Sequence, residues 1–296
     1  MTVEFTKRLD ELSDIVNRKL KDYMTGVLAG TAGQRKVAEA MEYSLSAGGK
    51  RIRPVLTAEF CRVCGGTVEA AFPAACALEM IHTFSLIHDD LPCMDDDDMR
   101  RGKPSCHAAF GEAQALLAGD ALLNFAYEVI SGGEDVSAET KIALISELSK
   151  ATGVNGMIGG QVIDTTFEGK LTEAELLNMY SMKTGALLRC ACKMGCIAAG
   201  AGKEKTAAAE LYAEKLGLAF QIIDDILDVT GDEKLLGKPI GSDSDNGKTT
   251  YVTLNGVENS RKAAETLTKE ALDALEAFED AQFLKELTLF LLKRDY

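Results

Sequence analysis

Apolar residues recur at the three- and four-residue spacing of an α-helix along most of this 296-residue chain. No segment shows the alternating apolar and polar residues of a β-strand together with hairpin turns. Proline, which breaks helices, occurs only five times. The sequence therefore predicts an all-α protein, with its clearest helices over 4–28, 35–47, 68–90, 110–130, 138–151, 172–199, 205–228 and 260–292.

Glycine-rich and polar stretches separate these segments. The longest, residues 230–250, is too polar and glycine-rich to form a core. A loop of about 20 residues in a compact domain is more often functional or disordered than incidental. No linker and no internal repeat divides the chain, so we expect a single domain over residues 1–296 that forms one large helical bundle.

The chain carries 46 acidic and 32 basic residues, a formal net charge of −14. This balance argues against a nucleic-acid or anionic-membrane binder. It allows a phosphorylated ligand, because a metal ion can bridge carboxylates to phosphates. No run approaches the roughly 18–20 uninterrupted apolar residues of a membrane span, and the charged N-terminal segment lacks a signal-peptide core. We expect a cytoplasmic protein without stable membrane insertion.

The eight cysteines predict reduced thiols rather than a disulfide scaffold. Cys61 and Cys64 form one CxxC pair with no second pair, which favours small buried side chains over a zinc site. Reduced thiols agree with the expected cytoplasmic location.

The most informative segment, residues 81–107, reads IHTFSLIHDDLPCMDDDDMRRGKPSCH. On a regular helix Asp89 and Asp95 would lie about 240° apart. Pro92 disfavours a regular helix, because its ring clashes with the preceding turn and it donates no hydrogen bond. If Pro92 and Cys93 bulge out, the effective spacing falls from six residues to four and both carboxylates share one face. Hard oxygen ligands at that spacing suit magnesium.

A second acidic segment, FQIIDDILD, covers residues 220–228. Relative to Gln221 on a helix, Asp224 lies at about −60°, Asp225 at about +40° and Asp228 at about −20°. One polar stripe therefore holds an amide and three carboxylates between apolar flanks. Such a patch is costly unless cations or water occupy it.

A solvated acidic face is the alternative for either segment alone. Two acidic faces, each in an otherwise apolar helix, favour cation binding. An EF-hand is excluded by spacing, because Arg100 stands where its loop needs glycine.

The third element is the basic turn, residues 48–54, with the sequence GGKRIRP. Two glycines let the backbone approach an anion, and three cations in four residues could hold a phosphate. A basic loop alone ordinarily faces water, and no Walker pattern is present.

These elements together resemble the trans-prenyl-diphosphate synthases, the family of farnesyl and geranylgeranyl diphosphate synthases. The resemblance covers essentially the whole chain and is closest to bacterial farnesyl diphosphate synthases. Related terpene cyclases share the acidic pair, but the basic turn suits a second diphosphate. A terpene cyclase and a non-catalytic acidic binding protein remain the alternatives. The resemblance rests on GGKRIRP, DDLPCMDDDDMRRGKP, GMIGGQVID, the Lys183-Thr184 pair, FQIIDDILD and GKPIGSD followed by GKTTY.

The resemblance implies an isoprenoid synthase fold with helices around a central cavity, in a homodimer. It implies a magnesium-dependent prenyltransferase that condenses isopentenyl diphosphate with dimethylallyl or geranyl diphosphate. About three magnesium ions would be coordinated by Asp89, Asp95 and Asp224. The carboxylates that would support them are Asp90, Asp225 and Asp228.

The substrate residues follow from the same resemblance. Isopentenyl diphosphate would be held by Lys50, Arg53, His82 and Arg101. The allylic diphosphate or its ionising carbon would be contacted by Arg100, Lys183, Thr184, Gln221 and Lys238. Gln161 and Asp164 resemble a further pair near the metals. Released diphosphate would take the proton, so no protein nucleophile is expected.

Product length is assigned by resemblance to the residues five and four positions before Asp89. Phe84 and Ser85 occupy these positions. A bulky Phe84 suits a fifteen-carbon product, so we expect farnesyl diphosphate, with geranylgeranyl and geranyl diphosphate as alternatives.

Overall fold

The computed structural model describes residues 2–30, 32–166, 169–230 and 248–292, and it confirms the all-α prediction. Two strands of two residues each form a small hairpin. In chain order the elements are α1 (Val3–Gly30), α2 (Arg35–Leu45), α3 (Ile52–Val63), α4 (Val68–Asp89), β1 (Met99–Arg100), β2 (Lys103–Pro104), α5 (Cys106–Phe110), α6 (Glu112–Gly132), α7 (Ala138–Thr152), α8 (Met157–Thr166), α9 (Glu173–Tyr180), a π-helix (Ser181–Gly185), α10 (Ala186–Ala198), α11 (Lys203–Thr230), α12 (Tyr251–Asn255), α13 (Val257–Ala274), a 3₁₀-helix (Leu275–Ala277) and α14 (Gln282–Leu292).

The apolar spacing does not predict α3 and α8. Most of α3 is buried on every side, so no amphipathic stripe marks it. In α8 the glycines lower helix propensity, yet close packing requires them. A Cβ at Gly160 would lie 2.2 Å from the backbone nitrogen of Lys183, and one at Gly159 would lie 1.9 Å from the carbonyl oxygen of Val154. These two glycines therefore allow close packing.

The chain divides into two compact units. The N-terminal unit comprises Thr6–Leu148 and Met194–Gly200. The C-terminal unit comprises Met1–Phe5, Ser149–Lys193 and Ala201–Tyr296, as far as these residues are described. The single domain over residues 1–296 stays a prediction.

Helix α4 is the core of the N-terminal unit and packs against α3 and α6. The side chain of Thr67 caps it by accepting from the N–H of Ala70. Of the described helices, α4 alone is long and apolar enough to span a membrane by length and composition, and 78% of its most apolar window is buried. Burial of this kind is expected of the core helix of a globular unit. Because α4 ends at Asp89, its position determines where the Asp-rich segment that follows begins.

In the C-terminal unit, α11 packs along α13. The hydroxyl of the fully buried Tyr212 shares a 2.9 Å hydrogen bond with the hydroxyl of Thr288 in α14. A reciprocal capping box between Thr172 and Glu175 starts α9, which leads into the π-helix. The π-helix packs against both α8 and α11.

All eight cysteines lie in described residues, and no disulfide joins any two of them. Cys93 is exposed, Cys64 is half-buried and the other six are buried. The prediction of small buried side chains therefore holds for most of them.

Candidate active site

The first Asp-rich segment leaves the C-terminal end of α4 in the N-terminal unit. The N–H of Asp95 donates to the carbonyl oxygen of Asp89 at 2.9 Å. A regular helix makes this bond between residues four apart, whereas here it joins residues six apart around Pro92 and Cys93. The predicted bulge is confirmed in the backbone. Asp89 is half-buried and Asp95 is exposed.

The neighbouring Asp90 is buried and bound to Arg100. Its carboxylate accepts hydrogen bonds from the Nε of Arg100 at 2.9 Å and from Nη2. Burial raises the pKa of Asp90, and the guanidinium of Arg100 opposes that rise. Asp90 thus holds Arg100, which lies in the β1–β2 hairpin, against the end of α4.

The side chain of Arg101 rests on the basic turn. Its Nη1 donates to the carbonyl oxygen of Gly48. Gly48 and Gly49 have φ values of +92° and +123°, where side chains are strained. A Cβ at Gly49 would also lie 2.7 Å from Nη1 of Arg101. Both glycines are therefore required by the turn, and Gly49 is required also by the guanidinium that rests on it.

Several cations surround His82. Burial first, and then the charges of Arg53, Arg101, Arg51 and Arg100, lower the pKa of His82 well below its ordinary value. The Nε of Arg53 is buried and has no hydrogen-bond partner among the described residues. A concentration of positive charge with an unpaired donor is suited to an anion with several oxygens, such as a diphosphate.

The C-terminal unit brings together four predicted residues: Asp164, Lys183, Thr184 and Gln221. The Nζ of Lys183 lies 2.5 Å from a carboxylate oxygen of Asp164. The hydroxyl of Thr184 donates to Oε1 of Gln221. Lys183 and Thr184 both lie in the π-helix, a feature that occurs frequently at functional sites.

Within the second Asp-rich segment, Asp225 is buried and paired. Its Oδ2 accepts from the hydroxyl of Tyr180 at 2.6 Å and from the backbone N–H of Tyr251 at 2.7 Å. Asp225 therefore ties α11 to the end of α9 and to the start of α12. Asp224 is half-buried and Asp228 is buried.

A cavity of about 350 Å³ opens beside these residues in the C-terminal unit. A cavity of this size accommodates a small ligand. Its polar lining combines both signs of charge with neutral hydrogen-bonding groups, and includes Asp164, Lys183, Thr184, Gln221, Asp225 and Lys248.

A family model described as polyprenyl synthetase matches residues 34–288 of the chain. The chain belongs to the polyprenyl synthetase family. The geranylgeranyl diphosphate synthase of Cyanophora paradoxa is 49% identical over 247 residues, which cover 82% of this chain and 82% of that protein. The farnesyl diphosphate synthase of Geobacillus stearothermophilus is 45% identical over 257 residues, which cover 86% of this chain and 85% of that protein.

A solved structure shows the same fold. The apo crystal structure of a FPP/GFPP synthase from Zymomonas mobilis superposes with a TM-score of 0.88 at 34% identity, covering 99% of this chain and 100% of that one. This polyprenyl synthetase is therefore a prenyltransferase with an isoprenoid synthase fold, and magnesium dependence is typical of the family.

The donor chemistry fits the divalent metal that the polyprenyl synthetase family uses. Carboxylate oxygens are the ligands that magnesium prefers, and Asp89 and Asp224 are each half-buried beside a buried, paired aspartate. Within the residues that the structure describes, no group of three or more His, Cys, Asp or Glu side chains is arranged to hold a metal ion. The ligand set that the resemblance implies stays a prediction, as does its number of ions.

The predicted chain-length residues lie on α4. The ring of Phe84 is buried and packs edge-to-face on the imidazole of His88, with centroids 5.4 Å apart. Gly119 of α6 admits that imidazole, since a Cβ there would lie 2.1 Å from its Nε2. The hydroxyl of Ser85 donates to the carbonyl oxygen of His82 at 2.9 Å. Whether Phe84 limits the product of this polyprenyl synthetase stays a prediction.

Some site residues have no sequence signal, and one predicted residue cannot be placed. Tyr180 resembles an ordinary core residue until its partner Asp225 is seen. Glu79 is a lone carboxylate among apolar residues of α4, and the structure identifies its partner as Arg51. Lys248 lies within the GKTTY motif, which could have drawn attention to it. The predicted Lys238 lies outside the described residues.

The lowered pKa of His82 predicts a pH-dependent stability. The folded state takes up this proton less readily than the unfolded chain, so His82 favours folding above about pH 6.5 and opposes it increasingly as the pH falls below that value. Between about pH 7.5 and 5.5, the unfolding free energy of His82→Gln should therefore fall less than that of the wild type. Urea denaturation at both pH values measures this, and equal falls in the two proteins would contradict it.

Proposed function

We propose that this chain condenses isopentenyl diphosphate with dimethylallyl or geranyl diphosphate, and that its main product is farnesyl diphosphate. The observation that carries this proposal is the cluster of cations around His82 with the unpaired Nε of Arg53. A polyprenyl synthetase that joins two diphosphates needs a second anion site besides the one that binds the allylic substrate. The relatives named above include both a farnesyl and a geranylgeranyl diphosphate synthase, so the twenty-carbon product is the second candidate.

The N-terminal unit supplies the residues proposed for isopentenyl diphosphate. Lys50, Arg53 and Arg101 would neutralise its phosphates, with Arg53 donating the Nε that has no described protein partner. His82, kept neutral by burial and by its cationic neighbours, would donate or accept one hydrogen bond there.

The C-terminal unit supplies most of the residues proposed for the allylic substrate. Lys183 would contact its phosphates, and the oxygens of Thr184 and Gln221 would lie against the ionising carbon, where their dipoles stabilise positive charge. Arg100, held by Asp90, and Lys238 would contact the same diphosphate. No group among these needs to act as a nucleophile.

About three magnesium ions are proposed, with Asp89, Asp95 and Asp224 as ligands. Asp90, Asp225 and Asp228 would support them, which agrees with the protein partners of Asp90 and Asp225. When bound, the ions stabilise negative charge on the departing diphosphate. The double bond of isopentenyl diphosphate would then attack the allylic cation, and the released diphosphate would take the proton.

The assembly and location are also proposals. By family resemblance we propose a homodimer in the cytoplasm, with no nucleic-acid partner and no stable membrane insertion. The net charge of −14 supports the absence of nucleic acid.

The proposed function is tested by incubating the protein with dimethylallyl and isopentenyl diphosphates and magnesium, followed by mass spectrometry. Farnesyl diphosphate as the main product supports the proposal, and geranylgeranyl or geranyl diphosphate would correct the chain length. A cyclic hydrocarbon would indicate a terpene cyclase. Binding without any product would indicate a non-catalytic acidic binding protein.

Removing a proposed metal ligand should affect catalysis and spare the fold. Asp89→Ala and Asp224→Ala should each lower turnover by orders of magnitude, because the leaving diphosphate loses part of its stabilisation. Their melting temperature without metal should not fall, since each removes charge from an acidic cluster. Asp98→Ala, an exposed acid of the same segment, is the control. Near-normal turnover of both variants at saturating substrate would contradict the metal assignment.

The two diphosphate sites should respond separately to substitution. Lys50→Ala and Arg53→Ala should weaken isopentenyl diphosphate more than the allylic substrate, and Lys183→Ala should do the reverse. Each lost charge-assisted contact is worth about 1.5–3 kcal/mol, about ten- to hundredfold in affinity. This is tested by measuring the KM for each substrate separately, with the other substrate at saturation. Equal effects on both substrates would show that the sites are assigned wrongly.

Truncation of Phe84 should lengthen the product. In Phe84→Ala the space vacated by the buried ring would admit further prenyl units, so twenty-carbon or longer products should increase while condensation continues. Phe72→Ala, which removes another buried ring of α4, is the matched control and should cost stability without changing product length. An active Phe84→Ala with unchanged product length would place the limit elsewhere.

A further inference from the structure

We propose that Arg51 is a positioning residue, whose buried guanidinium sets the shape of the basic turn and so places Lys50 and Arg53 for isopentenyl diphosphate. The inference rests on the proposed function, because it deepens the assignment of that site. It separates the three cations of the turn into one that holds the turn and two that meet the substrate.

Three protein acceptors surround the guanidinium of Arg51. Nη1 donates to Oε1 of Glu79 at 2.7 Å, Nη2 to the carbonyl oxygen of Leu45 at 2.6 Å, and Nε to Oδ1 of Asn17 at 2.8 Å. These acceptors belong to α4, α2 and α1 respectively. The planar fork of arginine matches such a set, whereas the ammonium group of lysine cannot.

Burial removes Arg51 from any ligand. Its side chain is 2% exposed and that of Glu79 is 3% exposed. Arg53 differs, because it is only partly buried and its Nε has no partner among the described residues. Of these two arginines, Arg53 therefore retains a donor for an anion, while Arg51 directs its donors into the protein.

The backbone at Arg51 depends on this fork. Arg51 has a φ of +49°, which is uncommon for a residue with a side chain and persists where the surroundings fix it. Arg51 directly precedes α3. Lys50 therefore lies just before the left-handed residue, and Arg53 lies in the first turn of the helix that follows it. A change in the conformation at Arg51 would move both residues relative to each other.

Glu79 connects the turn to the helix that carries His82. It lies three residues before His82 on α4, and residues at that spacing share a helix face. A buried carboxylate requires a partner, and Arg51 supplies it. Burial lowers the pKa values of Arg53 and Arg101, and the charge of Glu79 opposes that lowering. The pair thus joins the basic turn to α4 at the level of the proposed site.

The test is the variant Arg51→Lys, which keeps the positive charge opposite Glu79 and loses the three-way fork. We expect the KM for isopentenyl diphosphate to rise about tenfold, because small misplacements of binding groups have effects of this size or more. The KM for the allylic diphosphate should change by less than about twofold, and turnover at saturating isopentenyl diphosphate should approach that of the wild type.

Arg8→Lys is the matched control. The Nε and Nη2 of the half-buried Arg8 both donate to Oε1 of the fully buried Glu59, which Arg62 also contacts. This variant therefore also weakens an arginine–glutamate pair of the N-terminal unit, outside the basic turn. It should change melting temperature without separating the two KM values. Asn17→Ala removes only the acceptor of the Arg51 Nε, at an exposed residue, and covers the case in which Arg51→Lys does not fold. It should raise the KM for isopentenyl diphosphate by a smaller factor.

The proposal is overturned if folded Arg51→Lys changes neither KM. It is also overturned if both KM values rise by the same factor, which is the result expected of a purely structural role. If Arg51→Lys does not fold, an unchanged KM for isopentenyl diphosphate in Asn17→Ala overturns it. Failure of the wild type to condense the two substrates would refute the proposed function itself, which separates that result from the failure of this inference.

Discussion

Like charges crowded into one part of a helical scaffold repel one another, and this repulsion governs the arrangement within each unit. The N-terminal unit gathers arginines around His82, and the C-terminal unit gathers carboxylates along α11. Neither group could be buried unless part of its charge were compensated within the protein. In the N-terminal unit the contacts Arg51–Glu79 and Arg100–Asp90 supply that compensation. In the C-terminal unit the hydroxyl of Tyr180 and the N–H of Tyr251 stabilise the buried Asp225 of α11. What they leave uncompensated is suited to a charged ligand.

The compensation follows a common pattern in three motifs. In each Asp-Asp pair the second residue is buried and bound by protein donors, Asp90 by Arg100 and Asp225 by Tyr180, while the first is half-buried. Adjacent residues of a helix point about 100° apart, so one can face the interior while the other faces the site. The basic turn shows the same division, because Arg51 is buried and bound by the protein while Arg53 is only partly buried. In each of these motifs, one of the two like-charged residues is held by the protein and the other is a candidate to bind a ligand.

The sequence was sufficient to predict the helical class and most helix positions, because amphipathic helices show apolar residues at a spacing of three and four. It was not sufficient for α3, whose faces are nearly all buried, or for α8, whose glycines reflect contacts with a distant segment. At the site, the bulge at Pro92-Cys93 and the group formed by Lys183, Thr184 and Gln221 could be predicted from motifs. The roles of Glu79 and Tyr180 could not, since a buried partner is a property of three-dimensional packing and leaves no local pattern.

The bulge gives the protein a chemical handle. Cys93 stands within it as the one exposed thiol among eight cysteines, all of which the structure describes. Burial raises the pKa of Cys61 to about 11 and that of Cys76 to about 12, so these thiols resist forming the reactive thiolate. A maleimide fluorophore would therefore label the native enzyme preferentially at Cys93, between Asp89 and Asp95 in the chain. Its emission would report on the first Asp-rich segment without any engineered cysteine.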